Sequence, residues 1–331
     1  MEKPTGEVPV AVMGLGHVGR EIARAAIASP GVKLIAALDA DPKLLGKSLG
    51  ELVPGAPDLV RVESDAHKAL SRLKGGVLLL STSSRFDEIL PQLEAAAKAG
   101  VHVVSTCEEL AFPWLNHEEA ADRLDELAIA HEVSILGTGV NPGFVLDRLL
   151  ATAGAVCGRV RAAHAVRVVD ASTRRAALLH KIGAGLSEEA FDRKVESGEI
   201  GHVGLGESAA LAVLGLGLDY DELEEEISPV LAEEDLDGPV PVKKGQVAGI
   251  YQRARGFLEG QEIVDLELTI AVGVDEAYDE IHIDAEPPVS LKVTGGYAGE
   301  AATAWAVVNA VPRVVQSEHG ILTVLQLPAG R

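Results

Sequence analysis

The stretch Val10-Ala-Val-Met-Gly14-Leu-Gly16-His-Val-Gly19-Arg20 runs an apolar strand straight into three glycines spaced G-x-G-x-x-G. A helical pattern, Val18 to Ile27, follows, and Asp39 stands 20 residues beyond Gly19, at the end of a second apolar run from Val32 to Leu38. Strand, glycine turn, helix and acid in that order are the layout of a dinucleotide site. Gly14 permits the tight turn, Gly16 lets the backbone approach a pyrophosphate, and Gly19 lets the helix pack close to the strand. The N–H groups at the helix start, around Gly16, His17 and Val18, are placed to hold phosphates. Asp39 is placed to accept hydrogen bonds from both hydroxyls of an adenosine ribose. That favours NAD, since a 2′-phosphate would be repelled, although a neighbouring loop can still admit one, which keeps NADP open as a second cofactor.

Working outward, β-rich apolar runs alternate with helical patterns: Val8 to Met13, Val32 to Leu38, Val60 to Val62, Gly76 to Ser81, Val101 to Ser105 and Val133 to Leu136. Such alternation implies an α/β domain on a parallel sheet. Phe86 to Ala99 and His117 to His131 read as amphipathic helices, the first stopped by Gly100. Ligands in such sheets sit beyond the carboxyl ends of the strands, which directs attention to 81–85, 105–109 and 137–144. Ser81, Thr82, Ser83 and Arg85 are candidate cofactor contacts there, joined by Thr106 and Cys107. Asn141 and Pro142 form a turn near the expected nicotinamide position, and Phe144 would wall a substrate pocket.

Past about residue 148 the strands lengthen: Val160 to Val169, Gln246 to Phe257, Glu262 to Val272 and Glu280 to Ile283. A second, mixed α/β domain on a largely antiparallel sheet fits this pattern. The acidic stretch Asp219 to Glu226, continued by Glu233 to Asp237, reads as a solvated helix and loop. Glu300 to Val311 reads as a helix carrying Asn309 and returning to the first domain. The expected division is therefore 1–148 with 296–331 for the dinucleotide domain and 149–295 for a substrate and dimerisation domain. Polar candidates in the latter are Arg161, His164, Arg167, Asp170, Lys181 and His202, with His202 favoured because its flanking glycines allow close backbone approach.

Composition bounds the function. With 331 residues, 47% of them hydrophobic, the chain can build two cores. A formal charge of −21 repels phosphate backbones and argues against nucleic acid as a partner. The start, Met1 to Glu7, lacks the regions of a signal peptide, and no apolar run reaches the ~18 residues of a membrane span. Cys107 and Cys157 are too few for a disulfide framework or a cysteine metal site. A cytoplasmic enzyme holding no metal is the expectation.

Several motifs resemble 2,4-diaminopentanoate dehydrogenases and the related native amine dehydrogenases. They are S-T-C-E-E-L at 105–110, G-T-G-V-N-P-G-F at 137–144, R-V-V-D-A-S at 167–172 with K-I-G-A-G at 181–185, and G-H-V-G at 201–204. V-A-G-I-Y-Q-R-A-R-G-F at 247–257, A-A-T-A at 301–304 and V-V-N-A-V-P-R-V at 307–314 carry the likeness to the end of the chain. The resemblance implies a dihydrodipicolinate reductase-like fold, with a Rossmann domain, a second α/β domain and homodimerisation through the latter. It also implies reversible oxidative deamination of an amine or diamino acid to a ketone and ammonia with NAD(P). Spacing to G-T-G-V-N-P-G maps the family's catalytic glutamate onto Glu108, with Glu109 the alternative if the register slips by one. Where many relatives have Gly-Asp before the A-T-A helix, this chain has Gly299-Glu300.

The chain has no H-E-x-x-H, no Cys/His cluster and no G-x-S-x-G, which leaves metal and serine hydrolysis without support. A dihydrodipicolinate reductase-like imine reductase would be expected to carry a paired-histidine motif, which this sequence lacks. The alternative from another class is a non-catalytic NADH-binding sensor.

Overall fold

A computed structural model describes residues 7–56, 58–328 and 330. The reading of the first six residues as no secretion signal lies outside them. The chain divides into two compact units, Met1–Phe144 with Ala298–Arg331, and Val145–Tyr297.

In the first unit, strands and helices alternate: β1 Val8–Met13, α1 His17–Ala28, β2 Val32–Leu38, α2 Leu49–Leu52, β3 Val62–Glu63, α3 Ala66–Arg72, β4 Val77–Leu80, α4 Phe86–Lys98, β5 His102–Ser105, α5 Trp114–Ala130 and β6 Ser134–Gly137. A 3-10 turn, Glu109–Ala111, separates β5 from α5. β4, β5 and β6 are buried at every position, because helices cover both faces of a parallel sheet. α1 buries Gly19, Ile22, Ala23, Ala25 and Ala26, and α4 buries Phe86, Ile89, Leu93, Ala96 and Ala97, the latter a single stripe at helical spacing. α4 carries Asp87 and Glu88 in its first turn and Lys98 in its last, which matches the helix dipole, and Gly100 follows at φ 70°.

The second unit opens with α6 Arg148–Gly154, β7 Val160–Asp170, α7 Ala176–Lys181, α8 Glu188–Glu196 and α9 Leu205–Gly215. β8 Glu222–Leu231, β9 Val247–Leu258, β10 Gln261–Ala271, β11 Tyr278–Ala285 and β12 Val289–Thr294 complete it. The order is β12-β11-β7-β10-β9-β8, with β7 and β10 parallel and the other neighbours antiparallel. The acidic stretch expected to be helix and loop is largely the edge strand β8. Its Glu224 and Glu226 stand opposite Arg255 and Arg253 of β9, and Glu224 pairs with Arg255 at 2.9 Å. Along β9, Ile250, Gln252 and Ala254 are buried while Tyr251, Arg253 and Arg255 are half-exposed, the alternation of a sheet covered on one face.

The chain returns to the first unit as α10 Gly299–Val314 and β13 Gly320–Leu322. The seven-stranded order is β13-β6-β5-β4-β1-β2-β3, all parallel. Order reverses beside β1, so the crevice where ligands bind such sheets opens at the turn after Met13. Among the described residues, no helix is long and apolar enough to cross a membrane.

The three glycines at that turn differ in what requires them. A Cβ on Gly14 would lie 2.7 Å from Ser81 O and one on Gly19 1.7 Å from Gly14 O, whereas one on Gly16 would meet nothing within 4 Å. Gly19→Ala is therefore expected to lower the melting temperature, at a cost of about 1–3 kcal/mol or more from overpacking. Gly16→Ala should melt with the wild type. Coincident melting curves for Gly19→Ala and wild type would contradict the reading.

Candidate active site

At the mouth of the first unit, Gly14 takes φ 90° and its N–H donates to Leu38 O at 2.9 Å, tying the two strand ends together. Asp39 then reaches across. Its Oδ2 accepts from Leu15 N at 2.6 Å and its Oδ1 from Asp41 N at 2.8 Å. The same carboxylate that the sequence assigns to a ribose thus also holds the glycine loop. Ser81 donates to Gly14 O at 3.1 Å from the neighbouring strand. α1 begins at Gly16 with no side-chain cap and no acidic residue in its first turn. Its N-terminal N–H groups and the open space over Gly16 fit a bound pyrophosphate. His17 Nε2 meets Glu300 Oε2 at 2.8 Å, so the residue that departs from the family pattern joins α10 to the first residue of α1.

Of the other expected cofactor contacts, Thr82 Oγ1 donates to Gln92 Oε1 at 2.7 Å and Ser83 donates to Glu88, both fastening the start of α4. Thr106 N donates to Leu80 O at 3.0 Å. Cys107 is buried, and burial pushes its thiol up to about 12, which makes it packing rather than a nucleophile.

The two adjacent glutamates are separated by their surroundings. Glu109 is 7% exposed, and its Oε2 accepts from Phe86 N, the first residue of α4, at 2.6 Å. Arg85 Nη1 donates to its Oε1 at 2.7 Å, and His117 Nε2 lies 3.3 Å from Oε2. Glu108 is half-buried in helical backbone geometry at the head of the 3-10 turn, and its carbonyl accepts from Ala111 N at 3.0 Å. That turn lies so close to β6 that a Cβ on Gly137 would sit 2.4 Å from Leu110 C.

Gly137–Phe144 is likewise shaped by close approach. Gly143 takes φ 120°, and a Cβ there would be 2.4 Å from Gly139 N. Val140 N donates to Thr303 Oγ1 of α10 at 3.2 Å, which fixes the residue before Asn141. Asn141 is joined to Pro142 by a cis peptide. Asn309 lies on α10, half-buried, and its carbonyl accepts from Arg313. Thr303 was missed from sequence, although it belongs to the A-A-T-A motif.

In the second unit, Arg167 and Asp279 are 4% and 2% exposed and pair at 2.7 Å, directly opposite one another on β7 and β11. Arg167 also donates to Tyr297 O at 2.9 Å, and Tyr297 N donates to Asp279 Oδ2 at 2.7 Å. Gln252, fully buried, grips His202 through both backbone groups: it accepts from His202 N at 2.9 Å and donates to His202 O at 2.8 Å. Burial first, and the nearby Arg167 charge second, hold the His202 imidazole down at about 4. Its Nδ1 is buried without a hydrogen-bond partner among the described residues. Arg167 and His202 are thus brought together, with Gln252 and Asp279 as partners that no local sequence signal announced.

His164 is not brought to them, because three residues along a strand reverse the face. It lies 2.8 Å from Glu267 and 3.7 Å from Asp265 on the other side of the sheet. The ligand atoms of these three lie within 4.8 Å, but Asp265 already accepts twice from Arg253 and Glu267 once from Tyr251, so the cluster closes as an ionic network. Arg161 pairs with Asp284 and Glu286, and Asp170 accepts from Ser172.

Comparison with known proteins bears on both units. The sequence signature of the 2,4-diaminopentanoate dehydrogenase C-terminal domain matches residues 144–331, and that of the dihydrodipicolinate reductase N-terminus matches residues 8–108. A 2,4-diaminopentanoate dehydrogenase of Acetoanaerobium sticklandii is 26% identical over 98% of this chain and 94% of its own length. Among solved structures, an amine dehydrogenase from Mycobacterium smegmatis superposes with TM-score 0.86 at 22% identity, covering 100% of this chain and 98% of that one. A probable dehydrogenase from Thermotoga maritima follows at TM-score 0.56 and 14% identity, covering 93% and 88%. These two likenesses establish the fold.

The neutral imidazole of His202 has a consequence for stability. Its ordinary value of 6.5 in the unfolded chain falls to about 4 in the fold, so between those values the unfolded state binds a proton that the native state does not. Stability must then fall as pH drops through that window and level off below it. His202→Gln should show a shallower loss of melting temperature between pH 6.5 and 4 than wild type. Parallel curves would contradict the assignment.

Proposed function

The chain belongs to the family defined by the 2,4-diaminopentanoate dehydrogenase C-terminal domain and is a nicotinamide-dependent dehydrogenase, and from that premise we propose that it interconverts an amine with a ketone and ammonia. The observation that carries the reading is the unequal fate of the two glutamates. Glu109 is committed to α4, Arg85 and His117, and Glu108, half-buried at the head of the 3-10 turn, is the position onto which the spacing to G-T-G-V-N-P-G maps the reacting carboxylate.

Oxidation of an amine at the carbon bearing nitrogen creates a C=N⁺ cation. The nicotinamide, when bound, accepts or supplies the hydride. A carboxylate beside the reacting carbon stabilises that cation, and the same group passes protons as water adds and ammonia leaves, or the reverse. Glu108 takes both tasks. Asn141 would bond the carboxamide end of the cofactor, held in place through Val140 and Thr303. Asp39 would receive the adenosine ribose and set NAD ahead of NADP, because its charge already lies at the lip of the glycine loop. In the second unit, His202 keeps a neutral imidazole whose Nδ1 has no hydrogen-bond partner among the described residues, whereas Arg167 is occupied by Asp279 and Tyr297 O. An arginine so engaged does not favour a dedicated carboxylate clamp at that position, which supports simple amines alongside diamino acids as substrates.

Glu108→Gln preserves shape and removes the charge. Loss of such a group is expected to lower kcat by about 10²-fold or more, with the NADH dissociation constant from fluorescence titration within twofold of wild type. Near-normal turnover would contradict the role.

A further inference from the structure

We infer that Glu109 is a positioning residue for Glu108, acting through a clamp formed by Arg85, the N-terminus of α4 and His117. The inference rests on the reading of Glu108 as the reacting carboxylate.

Four observations converge on Glu109, three of them on its carboxylate. First, α4 has no side-chain cap of its own, since Arg85 at the cap position contributes none. Glu109 supplies it from outside the helix by accepting Phe86 N at 2.6 Å. A 13-residue helix starts there, where the first N–H groups lack intrahelical acceptors and the dipole is positive, which suits a carboxylate. Second, Arg85 neutralises the other oxygen at 2.7 Å. Third, α5 breaks its helical geometry at one residue, His117 (φ −137°, ψ 36°). That ring lies 3.3 Å from Glu109 and 3.4 Å from Asp87, with its centroid 5.1 Å from that of Phe86. Fourth, the backbone N–H of Glu109 donates to Ser84 O at 3.4 Å, so side chain and main chain are tied to the same neighbouring segment.

The residue held this way is the one directly after Glu108. On the near side Cys107 is buried and its N–H donates to Ser105 Oγ at 3.0 Å, and on the far side the turn lies against Gly137. Glu108 therefore stands between two held neighbours, in a connection of only three residues, 106–108, between β5 and the 3-10 turn. A buried carboxylate with three charge-assisted partners costs desolvation that an apolar residue would avoid, so its presence calls for a return other than stability. Placement is that return, because a shift of about 1 Å in a reacting group can cost on the order of 10²-fold in rate.

A double-mutant cycle distinguishes placement from structural support. Turnover of 2,4-diaminopentanoate with NAD, and of a ketone panel with NADH and ammonium, is measured for wild type, Glu108→Gln, Glu109→Gln and the double variant. NADH affinity and melting temperature are recorded for each. Glu109→Gln should lower kcat about tenfold or more when Glu108 is present and less than twofold when it is absent, with NADH affinity within twofold throughout. An equal loss in both backgrounds, or no loss in the first, overturns the inference. If Glu109→Gln does not fold, His117→Gln removes one of the three holds and is read by the same cycle. Near-normal turnover of Glu108→Gln by itself strikes the catalytic reading and removes this inference with it, an outcome visible without any Glu109 variant.

Discussion

The approach of α1 to the end of β1 is the constraint on which the first unit depends. Gly19 comes so near Gly14 O that a single added carbon would sit 1.7 Å from it. That contact fixes where α1 begins, and so where its N–H groups point. It also sets Leu15, whose N–H the Asp39 carboxylate takes up, and so couples the start of α1 to the end of β2. Ser81 closes the arrangement from β4. Loop, helix and second strand form one object, and an error in any of them would misplace the others.

Both units solve the same problem, how to bury charge, in different ways. In the first, Glu109 is surrounded by donors, two of them side chains able to carry positive charge and one a helix N-terminus. In the second, Arg167 and Asp279 face one another across adjacent strands and share the backbone of Tyr297. Next to them His202 sheds its proton instead of finding a counter-charge, because burial and the Arg167 charge act in the same direction. A cation, an anion and a neutral base are thus each given a defined state before any ligand arrives.

The sequence disclosed what is local. The glycine spacing, Asp39 and the alternation of strands and helices up to β6 could be read because each signal lies within about one element of itself. The acidic stretch could not. Its glutamates look solvated in isolation, and the arginines that answer them, Arg253 and Arg255, stand on the next strand after a long loop. His164 and Arg167 look equivalent as polar residues of one strand, whereas the glycines flanking His202 set it apart. Only the register of β7 puts the first on one face and the second on the other. Nor could adjacency decide between Glu108 and Glu109, because the groups that claim Glu109 come from positions 85, 86 and 117.

The central claim is that this cradle and carboxylate serve amine chemistry, and the most direct measurement is NADH oxidation at 340 nm with a panel of small ketones, with and without a high concentration of ammonium. The account predicts turnover that requires both ketone and ammonium. Consumption of NADH at the same rate without ammonium would make the protein a carbonyl reductase and contradict it.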